Sequence, residues 1–176
     1  MLIALSGDCC CLFSSEDLLL KEDSTEIISL IDKIVTKHKH LETNKQIKFT
    51  SNVEVLHFEV DVFHFENAIN NIIDNAIKYG GNTIAISIEQ NSSETKIYFN
   101  DNGKALSKQQ AIKIFDKFYR KTKGNIHDVK GHGLGLSYVK KIIDLHNGTI
   151  YVDSEIGRGS AFIITLPLSI KNKSKL

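Results

Sequence analysis

Apolar residues recur along this chain at two periods, and each period predicts a different kind of element. Ile27, Ile28, Leu30, Ile31, Ile34 and Val35 follow Asp23-Ser-Thr-Glu26 at helical intervals. The tetrapeptide has the spacing of a capping box, and Lys37, His38, Lys39 and His40 gather near the far end, so the segment predicts one amphipathic helix. β-type runs come next, at Ile47 to Thr50 and Val53 to Val60. Asp61 then caps a helix whose stripe is Val62, Phe65, Ile69, Ile72, Ile73, Ala76 and Ile77, and Gly80-Gly81 stops it.

Two further β runs, Thr83 to Glu89 and Thr95 to Asn100, flank Gln90-Asn-Ser-Ser-Glu94, which reads as a hairpin turn. Ser107-Lys-Gln-Gln110 is another capping box and opens a short helix toward Phe115. Tyr119 to His132 is polar, basic and without apolar period, which predicts a long loop; loops beyond about 12 residues in a compact domain usually carry function or are disordered. Gly133 to His146 is helical by its Leu136, Val139, Ile142 and Ile143 stripe, and Asn147-Gly148 ends it. The runs 149 to 154 and 160 to 168 read as a terminal strand pair. Strands and helices interleave, yet several strands are adjacent in sequence. A mixed sheet with helices on one face, an α/β two-layer sandwich, is the expected fold.

Composition narrows the function. At 176 residues and 19.7 kDa the chain is near the size of one domain, and 41% apolar with 24% charged residues is ordinary globular usage. Twenty-two Lys and Arg against twenty-one Asp and Glu give a formal charge of +1, so nothing global points to nucleic acid or anionic lipid. An anionic ligand must be met locally. Cys9, Cys10 and Cys11 are contiguous with no second cluster, which fits a reducing compartment better than a metal site or a disulfide framework. Leu2 to Phe13 is short, interrupted by Asp8 and preceded by no basic region, so no membrane contact is expected from it; Asp8 also stands where a lipoprotein cysteine would. Residues 1–22 are expected to be a linker or the end of a preceding region, 23–170 the domain, and 171–176 a solvated tail.

Several residues break local rules. Asn67, Asn70, Asn71 and Asn75 crowd the helix after Asp61, although asparagine is a poor helix former. Asn71, Asn75 and Lys78 share a face, and Glu or Lys would serve a merely solvated face better. Asp101-Asn-Gly103 ends a β run but is followed by a helix, so a hairpin turn does not fit; a carboxylate directed into a pocket does, with Gly103 allowing close backbone approach. Gly131-His-Gly-Leu-Gly135 opens a helix whose unpaired N–H groups suit phosphate oxygens. It is neither the dinucleotide fingerprint nor a Walker A loop. The seven histidines show no metal-ligand spacing, and His132 beside the glycines is a candidate phosphate contact.

In this order, these features resemble the ATP-binding catalytic domain of sensor histidine kinases, within the superfamily of gyrase, Hsp90-type and mismatch-repair ATPases. Asn71-Ile-Ile-Asp-Asn75-Ala-Ile-Lys78-Tyr79 resembles the N box, Asp101-Asn-Gly103 the first glycine box, and Phe115-Asp-Lys-Phe118-Tyr-Arg120 the F box. Gly131-His-Gly-Leu-Gly-Leu136 resembles the second glycine box and Gly157-Arg-Gly159-Ser160-Ala-Phe162 the closing motif. The resemblance implies a Bergerat-type fold: a mostly antiparallel sheet of about five strands, three helices on one face and an N-terminal helix. It implies ATP and Mg²⁺ as ligands, with Asn75 holding the metal, Asn71 nearby and Lys78 on phosphate. Asp101 would accept the adenine amino group with Ser160 assisting through water, Tyr79 would pack on the base, and Arg120 would approach the γ-phosphate or the docked partner. Gly103, Tyr119, Gly131, His132, Gly133, Leu134, Gly135 and Leu136 would complete the nucleotide site.

Water-activating relatives carry glutamate where Asn71 stands, and an amide cannot take a proton at neutral pH. Transfer to a neutral imidazole needs no such base. Two departures qualify the resemblance: Ala105 replaces the second glycine of the first glycine box, and no histidine here has the acceptor context. The acceptor histidine and the dimerising helices are therefore expected on a domain preceding residue 1, with a response regulator downstream and a cytoplasmic location. A nucleotide-binding module without transfer, an ATPase of the superfamily and an anti-sigma serine kinase are the rival readings.

Overall fold

The computed structural model describes residues 18–41, 44–119, 134–155 and 157–168. In chain order the elements are β1 (Asp23–Glu26), α1 (Ile27–Leu41), β2 (Gln46–Ser51), β3 (His57–Val60), α2 (Val62–Tyr79), β4 (Thr83–Gln90), β5 (Glu94–Asp101), α3 (Lys108–Lys113), α4 (Gly135–Leu145), β6 (Thr149–Glu155) and β7 (Gly159–Pro167). One sheet runs in the order β2-β4-β5-β7-β6, with β2 and β4 parallel and the other neighbours antiparallel. β1 and β3 form a separate antiparallel ribbon. This is the expected two-layer α/β sandwich with a mixed, mostly antiparallel five-stranded sheet.

Side chains alternate across a strand, so register stacks the inward positions into rows across the sheet. One row is Ile88, Ile97, Ile164 and Ile150, and the next is Ile86, Phe99, Phe162 and Val152. Against this face lie Ile27, Ile31 and Ile34 of α1, Phe65, Ile69, Ile72 and Ile73 of α2, and Val139, Ile142 and Ile143 of α4, none more than 2% exposed. Each such side chain stabilises by roughly 1.5–3 kcal/mol relative to exposure. α3 buries no residue, but Phe115 just beyond it meets Phe162 edge to face at 6.3 Å.

Three local expectations need correction. Asp23–Glu26 is a strand paired with β3, and no capping box forms there; instead the Glu26 carboxylate accepts the N–H groups of Ile28 (3.1 Å), Ser29 (2.7 Å) and Leu56 (3.1 Å). The run expected from Val53 is extended only over His57–Val60, because the Ser51 hydroxyl bonds both the N–H and the carbonyl of Val53 and turns the chain. α4 begins at Gly135, and Gly133 lies outside the described residues. The caps at Asp61 and Ser107 form as read, accepting from His64 at 3.0 Å and Gln110 at 3.2 Å. Among the described residues no helix is long and apolar enough to cross a membrane.

Candidate nucleotide site

The third row across the sheet turns polar. Asp101 closes β5 on the inward side, in register with Ser160 of β7, which is in register with Ser154 of β6. Asp101 is 9% and Ser160 7% exposed, so both need partners. The Gly103 N–H donates to Asp101 Oδ1 at 2.7 Å, and the Gly81 N–H also reaches the carboxylate. Lys45 Nζ donates to the Gly81 carbonyl at 2.8 Å, which places a positive charge nearby. Burial prevails and raises the Asp101 pKa above its ordinary value, against the lowering effects of Gly103, Lys45 and Gly81. A carboxylate has about four lone-pair sites, so acceptor capacity remains after these bonds.

Gly80 explains how α2 reaches this group. Its φ of −78° is ordinary extended backbone, so handedness does not demand glycine there. Proximity does: a methyl carbon on Gly80 would collide with the Ala76 carbonyl and come within 2.8 Å of Asp101 Cβ. The last turn of α2 is thereby pressed against the end of β5.

Further back on α2, Asn71 Nδ2 donates to the Asn67 carbonyl at 2.8 Å and Asn75 Nδ2 to the Asn71 carbonyl at 2.7 Å. Each half-buried amide commits its NH₂ to the preceding turn, which directs its oxygen away from the helix backbone. Glutamate or lysine cannot do this. Asn70 serves a different purpose: its Nδ2 bonds the Glu66 carbonyl and its Oδ1 accepts from His38 Nε2 at 2.9 Å, tying α1 to α2. The first turn of α4 faces the two site amides, since a methyl on Gly135 would lie 2.8 Å from Asn71 Oδ1 and 4.0 Å from Asn75 Nδ2. Leu134 caps that turn without a side-chain bond, and among the described residues no side chain bonds the leading N–H groups.

The expected site residues therefore fall into two groups along the C-terminal half of α2: Asp101, Gly103 and Ser160 at its end, and Asn71, Asn75 and Gly135 with Leu134 and Leu136 beside it further back. Lys78 and Tyr79 are exposed on the last turn of α2, and Tyr119 is half-buried; among the described residues no hydrogen bond joins their side chains to either group. Arg120, Gly131, His132 and Gly133 lie outside the described residues. A cleft of about 460 Å³ lined by Gly103, Lys104, Ala105, Leu106, Ser107, Gln110 and Gly157 opens beside the first group, and another of about 390 Å³ lies between Phe115 and α4. Neither is lined by Asp101 or Asn75. Sequence reasoning did not single out Lys45, Gly81 and Ser154. The Gly80-Gly81 pair was a visible signal for Gly81, whereas Lys45 and Ser154 are set apart only by contacts distant in sequence.

Residues 60–170 match the family described as histidine kinase-, DNA gyrase B-, and HSP90-like ATPase. The chain belongs to this ATPase family. Within it, the chain is similar to the sensor protein RprX of Bacteroides fragilis (strain YCH46), at 38% identity over 167 residues, covering 92% of this chain and 32% of RprX. It is 33% identical over 158 residues to the sensor protein SrrB of Staphylococcus aureus (strain NCTC 8325 / PS 47), covering 87% of this chain and 27% of SrrB. The chain thus spans about a third or less of these relatives. Among solved structures, the nucleotide-free catalytic domain of the histidine kinase ThkA superposes with a TM-score of 0.72 at 26% identity, covering 84% of this chain and 98% of that one. The mycobacterial sensor histidine kinase MprB, at 21% identity and TM-score 0.72 over 84% of this chain and 97% of its own, shares the fold of this family.

Proposed function

We propose that this chain binds Mg-ATP and transfers the γ-phosphoryl group to a histidine on a separate acceptor domain, as the catalytic domain of a sensor kinase. The observation that carries this is the run of α2 from Asn71 to Gly80, with a desolvated carboxylate pressed against Gly80 and the side-chain amides of Asn71 and Asn75 beside the first turn of α4, Asn71 Oδ1 nearest to it. The chemistry of these donors fits the ligand. Asp101 can only accept, which suits an exocyclic amino group, and Ser160 stands beside it in register. Asn75 offers a neutral oxygen of the kind that hard cations take. Mg²⁺, when bound, supplies neutralisation of phosphate charge. The leading N–H groups of α4 meet phosphate oxygens, aided by Lys78, Arg120 and His132, while Tyr79 and Tyr119 flank the base and Gly131 and Gly133 let the loop approach.

Catalysis is then positioning and charge neutralisation. The acceptor nitrogen forms the new N–P bond as the bond to the β,γ-bridging oxygen breaks, ADP leaves, and the imidazole releases its ring proton to solvent. Asn71 sets the outcome, because its amide cannot take a proton from water. The solved complex of ThkA with the response regulator TrrA, at TM-score 0.73 and 24% identity over 90% of this chain and 45% of that one, supports a response regulator as a partner; an acceptor domain and a cytoplasmic location complete the proposal.

Calorimetry with Mg-ATP, followed by transfer from labelled ATP to an added acceptor-helix protein, tests the proposal. Saturable binding and an acid-labile phosphohistidine are expected, and Asn75→Ala should remove the Mg²⁺ dependence of binding. No heat at millimolar nucleotide, or steady phosphate release with no acceptor present, overturns it.

A further inference from the structure

Ser154 is not among the groups assigned above to touch nucleotide, yet three chain segments meet at its hydroxyl. The Leu106 N–H donates to Ser154 Oγ at 2.8 Å across 48 positions of sequence. Ser154 Oγ also lies 3.0 Å from the Gly159 carbonyl and 3.0 Å from Ser160 Oγ. A hydroxyl has one proton and two lone pairs. Gly159 O can only accept and the Leu106 N–H can only donate, so the Ser154 proton goes to Gly159 O. One lone pair then receives Leu106, and the other receives the Ser160 proton. This direction satisfies every group. The opposite direction between the serines leaves the Gly159 carbonyl without this bond and frees the Ser160 proton to point elsewhere.

With its proton held inside the sheet, Ser160 presents only lone pairs toward Asp101, its cross-strand partner on the same face. Asp101 accepts directly, and the water that donates to Ser160 keeps lone pairs for a second base-edge proton, so the pair favours a donor on the base edge. The 6-amino group of adenine is a donor, whereas guanine carries an acceptor oxygen at that position. The Leu106 bond also holds the loop after Gly103 against β6, along the wall of the 460 Å³ cleft.

We infer that Ser154 is a positioning residue that fixes the direction of the Ser160 hydroxyl and thereby sets a preference for adenine over guanine nucleotides. The inference rests on the nucleotide reading of the Asp101 site. Its test is the ratio of ATP to GTP dissociation constants, measured by calorimetry with Mg²⁺ for the unaltered chain, Ser154→Ala, Ser154→Thr, Ser160→Ala and the double alanine variant, with thermal melting of each. Ser154→Ala should lower the preference for ATP about tenfold, the equivalent of one hydrogen bond. Ser154→Thr, which keeps the hydroxyl, should restore it, and in the Ser160→Ala background Ser154→Ala should no longer change it. Should Ser154→Ala fail to fold, Ser154→Cys, close in volume and a weak donor, should shift the ratio in the same direction. An unchanged ratio, equal weakening of both nucleotides alongside a lower melting temperature, or a shift that persists without the Ser160 hydroxyl overturns the inference while leaving ATP binding intact. Absence of ATP binding by the unaltered chain overturns the nucleotide reading itself and this inference with it.

Discussion

Because burial raises the Asp101 pKa above 3.8, the folded chain holds that proton more tightly than the unfolded chain does. Its contribution to stability is therefore full below 3.8 and declines as pH rises through the raised folded value, so the ionised side chain is retained against stability. Asp101→Asn keeps an acceptor for the Gly103 N–H and removes the buried charge. Its melting temperature at neutral pH should be no lower than the parent's, while ATP affinity drops about 10- to 100-fold through loss of a charge-assisted bond. An unchanged dissociation constant would contradict the adenine assignment. Thr95 is another buried polar side chain, and its Oγ1 has no partner among the described residues. Thr95→Val should raise stability by about 1 kcal/mol in urea unfolding. At this scale the sequence was informative where residue type contradicted context, as with the asparagines of α2 and the Asp101-Asn-Gly run. It singled out Asn70 with the other asparagines but not its separate role, which depends on His38 thirty-two positions away.

Among the elements, the helices and hairpins were legible because their signals are local: the α2 and α4 stripes, the caps at Asp61 and Ser107, and the turn joining β4 to β5. β1 was not, since its extended form depends on pairing with β3, which no local pattern carries. That pairing also displaced the expected cap and left Glu26 to gather three N–H groups at the start of α1. Burial alone would raise the Glu26 pKa, but bonds from Ser29, Leu56 and Ile28 outweigh it and lower the value to about 2. Glu26→Ala should cost about 1–2 kcal/mol, as other lost helix caps do, with α1 amides showing the largest gain in hydrogen exchange. Faster exchange confined to α4 would refute this account of Glu26.

Across the whole molecule, acid stability should follow the lowered carboxylates. Asp61 behaves like Glu26: burial opposes ionisation, but bonds from the backbone N–H groups of His64 and Lys21 lower its pKa below 3.8. Groups with lowered folded values stabilise above their unfolded pKa and lose that contribution as pH falls through the folded one. Urea midpoints should therefore decline from pH 4.5 toward about 2, and Glu26→Gln should flatten part of that slope. Asp101 acts in the opposite sense, but only above 3.8, where its own contribution changes. A midpoint that does not fall below pH 3.8 would contradict the roles given to Glu26 and Asp61. The layered architecture was legible from the alternation of strands and helices, whereas the insertion of β7 between β5 and β6 and the parallel pairing of β2 with β4 are long-range choices that only the assembled core decides.

The separation between Asn75 and Gly80 makes the end of α2 a ruler. Five residues at about 1.5 Å of rise and 100° of turn each fix both the spacing and the bearing of the amide oxygens relative to Asp101. One residue inserted there would swing Asn75 by roughly a quarter turn, so evolution can lengthen the hairpin after Gln90 far more freely than this single stretch of helix.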